Sequence, residues 1–374
     1  MQNYHVRLQS EVSKTFRCTR AANSLDIDVE KKSIHELKIS ADLESEFSIG
    51  LILGASGSGK TTLAKQIFFE DCFKIDIDPD KPIIDQLPSD LTYDQCAEIL
   101  SGIGLTSVPC WIRPIKTLSN GQRSRAEAAL QMTKSNDTVV IDEWTSVVDR
   151  TVAKVMSHCV QKFARRNKKK IILLSCHYDV VEWLNPDWII DCNEQKFIDR
   201  RLLPEDERRR KEQLRFEIRE VKRSCWPFFS RYHYLSDTMP PNTKACYGLF
   251  QNENQIGFIC FTNYTPIRKG SRPIYHWNRL VIHPDYAGLG LGLRFANETC
   301  FLFQKKMNGF VTIMTKFSSQ PVLRSCLKDK KHWALHAVST MKGRDKSADH
   351  LMRNGAGARS FVKTYSFRFV GSST

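Results

Sequence analysis

No apolar run in the sequence approaches the ~20 residues of a membrane-spanning helix. The opening residues, MQNYHVRLQSEVSK, lack the apolar core of a secretory signal. Cysteine occurs twelve times but never as C-x-x-C, which argues against a zinc site or a dithiol redox motif. The cysteines are scattered singly. Cys159 and Cys176 lie in or beside apolar segments and are expected to be small core residues in a reducing compartment. No internal repeat or low-complexity stretch stands out. A cytoplasmic location without a membrane partner is the resulting expectation. Acid is also short: 41 Asp and Glu stand against 56 Lys and Arg, a net charge of +15. Such an excess suits a polyanion, whether nucleic acid, nucleotide or acidic lipid, and equally suits a solvated basic surface. Basic clusters occur at ARRNKKK (164–170), RRRK (208–211) and KDKK (328–331), the first of them expected at a helix C-terminus.

What is present divides into two textures. The length of 374 residues suits two domains. In the first 50 residues, short alternating stretches such as SLDIDVE and HELKIS predict antiparallel strands. Buried strands follow at IGLIL, DTVVIDE (137–143), KKIILLSC (169–176) and DWIID (187–191), alternating with helical stretches. That alternation predicts an α/β domain with a parallel sheet over residues 1–198. Residues 199–223 are densely charged and predict a helical connector after Pro204, or the first helix of the next domain, with Leu214, Phe216, Ile218 and Val221 as its apolar contacts. Residues 224–374 are richer in aromatics, with strands at ACYGLF, QIGFICFT and GFVTIMTKF.

A glycine loop sits between IGLIL and a helix: Gly54-Ala-Ser-Gly57-Ser58-Gly59-Lys60-Thr61, followed by Thr62. It fits G-x-x-x-x-G-K-[ST]. Glycines let backbone N–H groups converge on phosphate oxygens, and the helix N-terminus adds its positive dipole end. Lys60 is placed to reach the β- and γ-phosphates, and Thr61 to offer a hydroxyl to Mg²⁺.

Three further stretches follow in order: LSNGQ (118–122), VVIDEWTSVVD (139–149) and LLSCH ending at His177. With the first loop they resemble the nucleotide-binding domain of ABC-type ATPases over roughly residues 1–195. Asn120 replaces the first glycine of the LSGGQ signature. The resemblance implies ATP and Mg²⁺ as ligands. It makes Asp142 and the Q-loop candidate Gln86 metal-side residues, Glu143 the general base toward water, and His177 a γ-phosphate partner. It also implies that Ser119, Gly121, Gln122 and Asp149 close on ATP held by a second copy, giving a homodimer. Only about sixty residues separate Lys60 from Ser119, so the helical subdomain between them is short.

A second glycine loop, HPDYAGLGLG (283–292), follows the strand NRLVI and opens an apolar helix. Strand, V-x-P and glycines together resemble motif A of the GNAT acyltransferases, in an α+β domain with a mixed, mostly antiparallel sheet. Ala287 stands where Arg or Gln is usual. The resemblance implies that amides around Gly288, Leu289, Gly290, Gly292 and Leu293 hold the pyrophosphate of acetyl-CoA or another acyl-CoA. Val281 and Ile282 would meet its pantetheine arm and thioester. The stretch SRYHYLSDTMPP (230–241) resembles the Mom-type phage DNA-modification proteins and makes His233 and Tyr234 catalytic candidates, ahead of Asn278, Arg279 and Tyr365.

Three functions fit. The chain is an ABC-type ATPase fused to an acyltransferase acting on an amine of a DNA or RNA base, an arrangement similar to tRNA acetyltransferases. Alternatively it acylates protein or small-molecule amines under ATP control, or it is a non-catalytic DNA-associated ATPase.

Overall fold

The computed structural model describes residues 1–10, 15–24, 33–73, 75–133, 138–204, 214–233, 238–263, 272–317, 320–342 and 361–371. Two compact units divide the chain. One comprises Met1–Ser89 and Cys110–Glu212, the other Asp90–Pro109 and Gln213–Thr374.

The first unit opens with β1 (Gln2–Ser10), α1 (Phe16–Ser24) and β2 (Ser33–Ala41); β1 and β2, the latter holding HELKIS, pair antiparallel, while the expected strand SLDIDVE lies outside the described residues after Ser24. Next come β3 (Ile49–Leu53) and α2 (Lys60–Ile67). After the segment that belongs to the other unit, α3 (Tyr93–Gly102), and the turn α4 (Val108–Trp111), the chain continues with α5 (Asn120–Met132) and β4 (Thr138–Ile141). It ends with α6 (Arg150–Asn167), β5 (Lys170–Ser175), α7 (Val180–Leu184), β6 (Trp188–Asp191) and β7 (Lys196–Asp199). The sheet order is β4-β5-β3-β6-β7, parallel throughout except for edge strand β7.

The sequence forms this sheet because its central strands are apolar on both faces, which only a strand covered on both sides tolerates. All five residues of β3 are buried. Gly50 within it is a matter of space: a Cβ there would lie 2.1 Å from Cζ2 of Trp188 on the neighbouring strand β6. The Trp188 ring is itself held edge-on by Phe47 at 5.4 Å. Asp149 caps α6 by accepting from the N–H groups of Thr151 and Val152, and Arg165 and Arg166 close its last turn. The basic cluster 164–170 therefore does end a helix.

The second unit continues with β8 (Glu217–Glu220), α8 (Trp226–Ser230), β9 (Thr243–Gln251), β10 (Asn254–Asn263) and β11 (Ile274–Ile282). It is completed by α9 (Leu291–Lys306), β12 (Thr312–Phe317), α10 (Gln320–Lys328), β13 (Trp333–Lys342) and β14 (Phe361–Phe369). One mixed sheet runs β13-β14-β12-β11-β10-β9-β8, antiparallel but for β11 and β12. The helical connector expected over 199–223 is corrected at residues 214–223, while its residues 205–213 lie outside the described residues. Residues 217–220 are a strand because Ile218 pairs with Leu249 of β9, a partner that no local pattern reveals. The basic cluster at 208–211 lies outside the described residues. Within this unit α3 starts on a capping box between Thr92 and Gln95, and Arg324 of α10 meets Asp94 and Glu98 of α3 at 3.2 and 3.6 Å.

The tight Gly50–Trp188 fit sets the first testable expectation. Gly50→Ala should destabilise the first unit by about 1–3 kcal/mol through overpacking. Urea unfolding followed by tryptophan fluorescence measures it, and an unchanged midpoint would contradict the packing described.

Candidate functional sites

The first glycine loop connects β3 to α2 through backbone that only glycine adopts easily. Gly57 and Gly59 have φ of 78° and 89°, and Gly59 is the N-cap of α2 with no side chain bonded to the helix amides. Gly54 is also needed for room, since a Cβ would fall 2.4 Å from Ser58 Oγ. That hydroxyl is buried and has no hydrogen-bond partner among the described residues. A glycine-shaped loop that opens a helix with no side-chain cap, beside an orphaned buried hydroxyl, fits an anion. Lys60 folds over the loop, its Nζ donating to the carbonyls of Gly54 at 2.8 Å and Ala55 at 2.7 Å. Thr62 follows in the first turn of α2.

The carboxylates arrive from β4. Thr61 Oγ1 donates to Asp142 Oδ2 at 2.8 Å, and the other Asp142 oxygen accepts the Glu143 N–H at 2.8 Å. Hydroxyl and carboxylate together are the donor set a hard cation takes. Glu143 and Thr145 both have positive φ, 50° and 66°, a strained turn that leaves Glu143 exposed at the strand end. Trp144 between them is buried, donating from Nε1 to Ser157 Oγ at 3.0 Å and from its N–H to the Leu174 carbonyl at 2.7 Å. The indole anchors the strained turn to α6, and the backbone N–H anchors it to β5. His177 sits half-buried just past β5, its N–H donating to Ser175 Oγ at 3.1 Å. Lys60, Asp142, Glu143 and His177 thus all follow the carboxyl ends of adjacent parallel strands, where open α/β sheets bind ligands.

Gln86 does not join this group. Its Oε1 accepts from Asp78 N–H at 2.7 Å and its Nε2 donates to the carbonyls of Asp78, Lys81 and Pro82, so the amide closes its own loop. Ser119 and Gln122 form a capping box at the start of α5. Gly121 packs close to α6, where a Cβ would lie 3.1 Å from Val152 Cγ1. Asn193 was not foreseen: its Oδ1 accepts the Ala55 N–H at 3.1 Å and so holds the glycine loop from beyond β6.

The second loop repeats the first in outline. Gly288 and Gly290 have φ of 90° and 75°, and Gly290 caps the 16-residue α9 with no side chain on its amides. A Cβ at Gly290 would meet nothing within 4 Å, so it is the left-handed φ and not want of room that calls for glycine there. Leu289 lies between the two glycines, and Gly292 and Leu293 fall in the first turn of α9. Ala287 is buried, so the position where the resemblance has Arg or Gln is filled by packing.

The strand before the loop has a free edge. β11 pairs with β12 only from Ile274↔Thr312 to His276↔Met314, although β11 runs on to Ile282 and β12 to Phe317. A wedge opens there. On the other side β11 carries a bulge, Arg279 and Leu280 lying opposite Ile259, with Arg279 at φ 56°. His283 N–H donates to Ile256 at 2.7 Å, so strand alternation turns the peptide groups of Ile282 to the wedge and those of Val281 to β10.

His233 stands edge-on to Trp226 at 5.5 Å, and Tyr234 lies outside the described residues. The pair that does meet is Tyr232 Oη and His283 Nε2 at 3.1 Å, from α8's end and β11's end. Neither residue stood out in the sequence, because the pairing joins positions 51 apart. Asn278 donates from Nδ2 to Thr262 Oγ1 at 2.5 Å, and Arg279 donates twice to the Thr238 carbonyl, at 2.9 and 3.2 Å. Tyr365 stands in β14 between Phe317 and Val338.

With this geometry in view, residues 177–321 match the model of the acetyltransferase (GNAT) family. Among curated proteins no relative matches. Solved structures similar to parts of the chain include a dimeric ATP-binding cassette in a post-hydrolysis state bound to ADP and Pi, at 14% identity, covering 51% of this chain and 96% of that one with a TM-score of 0.36. They also include a Bacillus subtilis acetyltransferase in complex with CoA, at 14% identity, 42% and 97% coverage and a TM-score of 0.29. A third is a GNAT-family acetyltransferase from Streptococcus pneumoniae, at 15% identity, 42% and 100% coverage and a TM-score of 0.30. The stretch that matches the GNAT model contains strands β8 to β12 of the mixed sheet, and the phosphate loop and strand-end residues above lie in the first unit. Among the described residues no helix is long and apolar enough to cross a membrane.

Cysteine chemistry follows from placement. Cys159 is buried as expected, whereas Cys176, expected in the core, is exposed because β5 ends at Ser175. Burial pushes the Cys192 thiol, next to Asn193, up to about 12, with Lys60 opposing the rise. Limited alkylation at neutral pH should therefore mark Cys176 and spare Cys192. Peptide mass spectrometry reads this directly, and preferential labelling of Cys192 would contradict its burial.

Proposed function

We propose that this chain is an ATP-hydrolysing acyltransferase, using acetyl-CoA or another acyl-CoA to modify an amine on a nucleic-acid base, DNA or RNA. The observation that carries the reading is the repeated device: two helices, α2 and α9, each beginning on a left-handed glycine with no side-chain cap. Such an end holds an anion.

In the first unit the amides of 57–62 and Lys60 hold the phosphates, with Lys60 exchanging its loop carbonyls for phosphate oxygens. Thr61 and Asp142 hold Mg²⁺, whose charge offsets that of the phosphate oxygens when bound. Glu143 takes the proton of a water, and His177 donates a hydrogen bond to the terminal phosphate. Ser119 and its helix end close on the nucleotide of a second copy, with Gly121 and Asp149 beside it, so that ATP sits between two protomers. In the second unit the nest at 288–293 holds the pyrophosphate, and the wedge edge at Ile282 holds the pantetheine.

The nucleic-acid assignment rests on charge and on α8. Phe228 is 48% exposed, with the Arg231 guanidinium 4.7 Å over its ring and 4.9 Å over that of Tyr232. An exposed ring under a guanidinium is a surface on which unstacked bases rest. An amine inside a duplex must leave the stack to be acylated.

Two outcomes test the reading. Glu143→Gln should lower ATP turnover on the order of 10²-fold or more while keeping ATP bound and raising the fraction of dimer seen by light scattering. Turnover near the parent level would remove Glu143 from its role. Binding to single-stranded oligonucleotides should weaken steeply with salt, and Phe228→Ala should lower affinity without changing that salt slope. Affinity indifferent to salt would leave protein or small-molecule amines as the acceptor.

A further inference from the structure

The wedge between β11 and β12 has a particular inner end. The last paired residues are His276 and Met314. The next residue on each strand is Trp277 and Thr315, 8% and 1% exposed. Trp277 Nε1 and Thr315 Oγ1 are both buried, and neither has a hydrogen-bond partner among the described residues. The fold satisfies comparable groups close by. Trp333 Nε1 donates to Asn297 Oδ1 at 2.7 Å, and Thr299 Oγ1 donates to the Phe295 carbonyl at 2.7 Å. Alternation places Thr315 and Phe317 on one face of β12, and the Phe317 ring stacks on Trp277 at 6.4 Å and 25°. The two orphaned groups therefore share one face of the fork, walled by the rings of Phe317, Phe367 and Trp333.

An orphaned buried donor costs on the order of 1–3 kcal/mol. Two at the point where a cleft begins have a common physical reason if something polar belongs between them. Resting on the acyl-CoA reading above, we propose that the acyl group this domain selects carries its own hydroxyl beyond the thioester, held by Trp277 and Thr315. The indole N–H only donates, so the substituent presents an acceptor to it; the Thr315 hydroxyl takes either role. Plain acetyl and longer alkyl groups leave both unpaired and are disfavoured. The surrounding rings exclude the water that would otherwise make the two kinds of acyl group equivalent.

Isosteric thioesters test this without any turnover. Calorimetry on the full chain compares glycolyl-CoA with propionyl-CoA and 3-hydroxybutyryl-CoA with 3-methylbutyryl-CoA, each pair differing by a hydroxyl in place of a methyl. The hydroxylated member of at least one pair should bind about tenfold tighter, the factor one satisfied donor supplies. Thr315→Val, nearly isosteric and safe for folding, should bring that ratio to within twofold while leaving the affinity for free CoA unchanged; Trp277→Phe should do the same. Equal affinities in both pairs, or a ratio that survives Thr315→Val, overturns the proposal while the acyl-CoA reading stands. No heat with free CoA removes the acyl-CoA reading itself, and the selectivity with it.

Discussion

A helix that begins on a left-handed glycine exposes its first N–H groups with no side chain to satisfy them. At an ordinary surface water does so, and the arrangement is a small loss. In this chain it occurs at Gly59 and at Gly290, each directly after a strand end. At both the surrounding residues are arranged around the exposed amides. Ser58 leaves a buried hydroxyl unbonded, Gly54 is kept small to admit it, and Asn193 holds the loop from the far side. At the second, the preceding strand loses its neighbour after His276. The proposed grip on phosphate and acyl donor depends on those two helix ends staying uncapped.

Strain and charge in the first unit follow from the same need. The turn after β4 holds Glu143 and Thr145 at positive φ, and the buried Trp144 between them keeps it there through Ser157 and Leu174. That turn brings the Glu143 carboxylate outward at the strand end while Asp142 stays with Thr61. The bulge at Arg279 does comparable work in the second unit, re-aiming the last residues of β11. In both cases a non-glycine residue is held in sparsely populated backbone at the edge of a site.

Much of this was legible in the sequence because it is local. Strand IGLIL, its glycine loop, the strand-end Asp142-Glu143 and the loop after NRLVI each announce themselves within ten or so residues. The failures share a different cause. Strand β8 was expected as helix, since charge density masks a pairing with β9 some thirty residues away. Gln86 was expected at the metal, yet its amide is taken by the carbonyls of its own loop, which no spacing reveals. Cys176 was expected in the core because it abuts an apolar strand, and it falls one residue past that strand's end. Tyr232 with His283, and Trp277 with Thr315, become neighbours only through the order of the sheet. Motifs show where a ligand is gripped; the residues that choose among ligands come together through tertiary structure.

The central claim is that two separate amide nests grip two different phosphorylated ligands. Isothermal calorimetry of the full chain, titrated in turn with ATP plus Mg²⁺ and with CoA, tests it most directly when repeated on Gly290→Val. Both ligands should give heat with the parent chain, and the variant should lose the CoA signal with ATP binding intact. A variant that binds CoA as the parent does, or that loses both ligands while remaining folded, would contradict it.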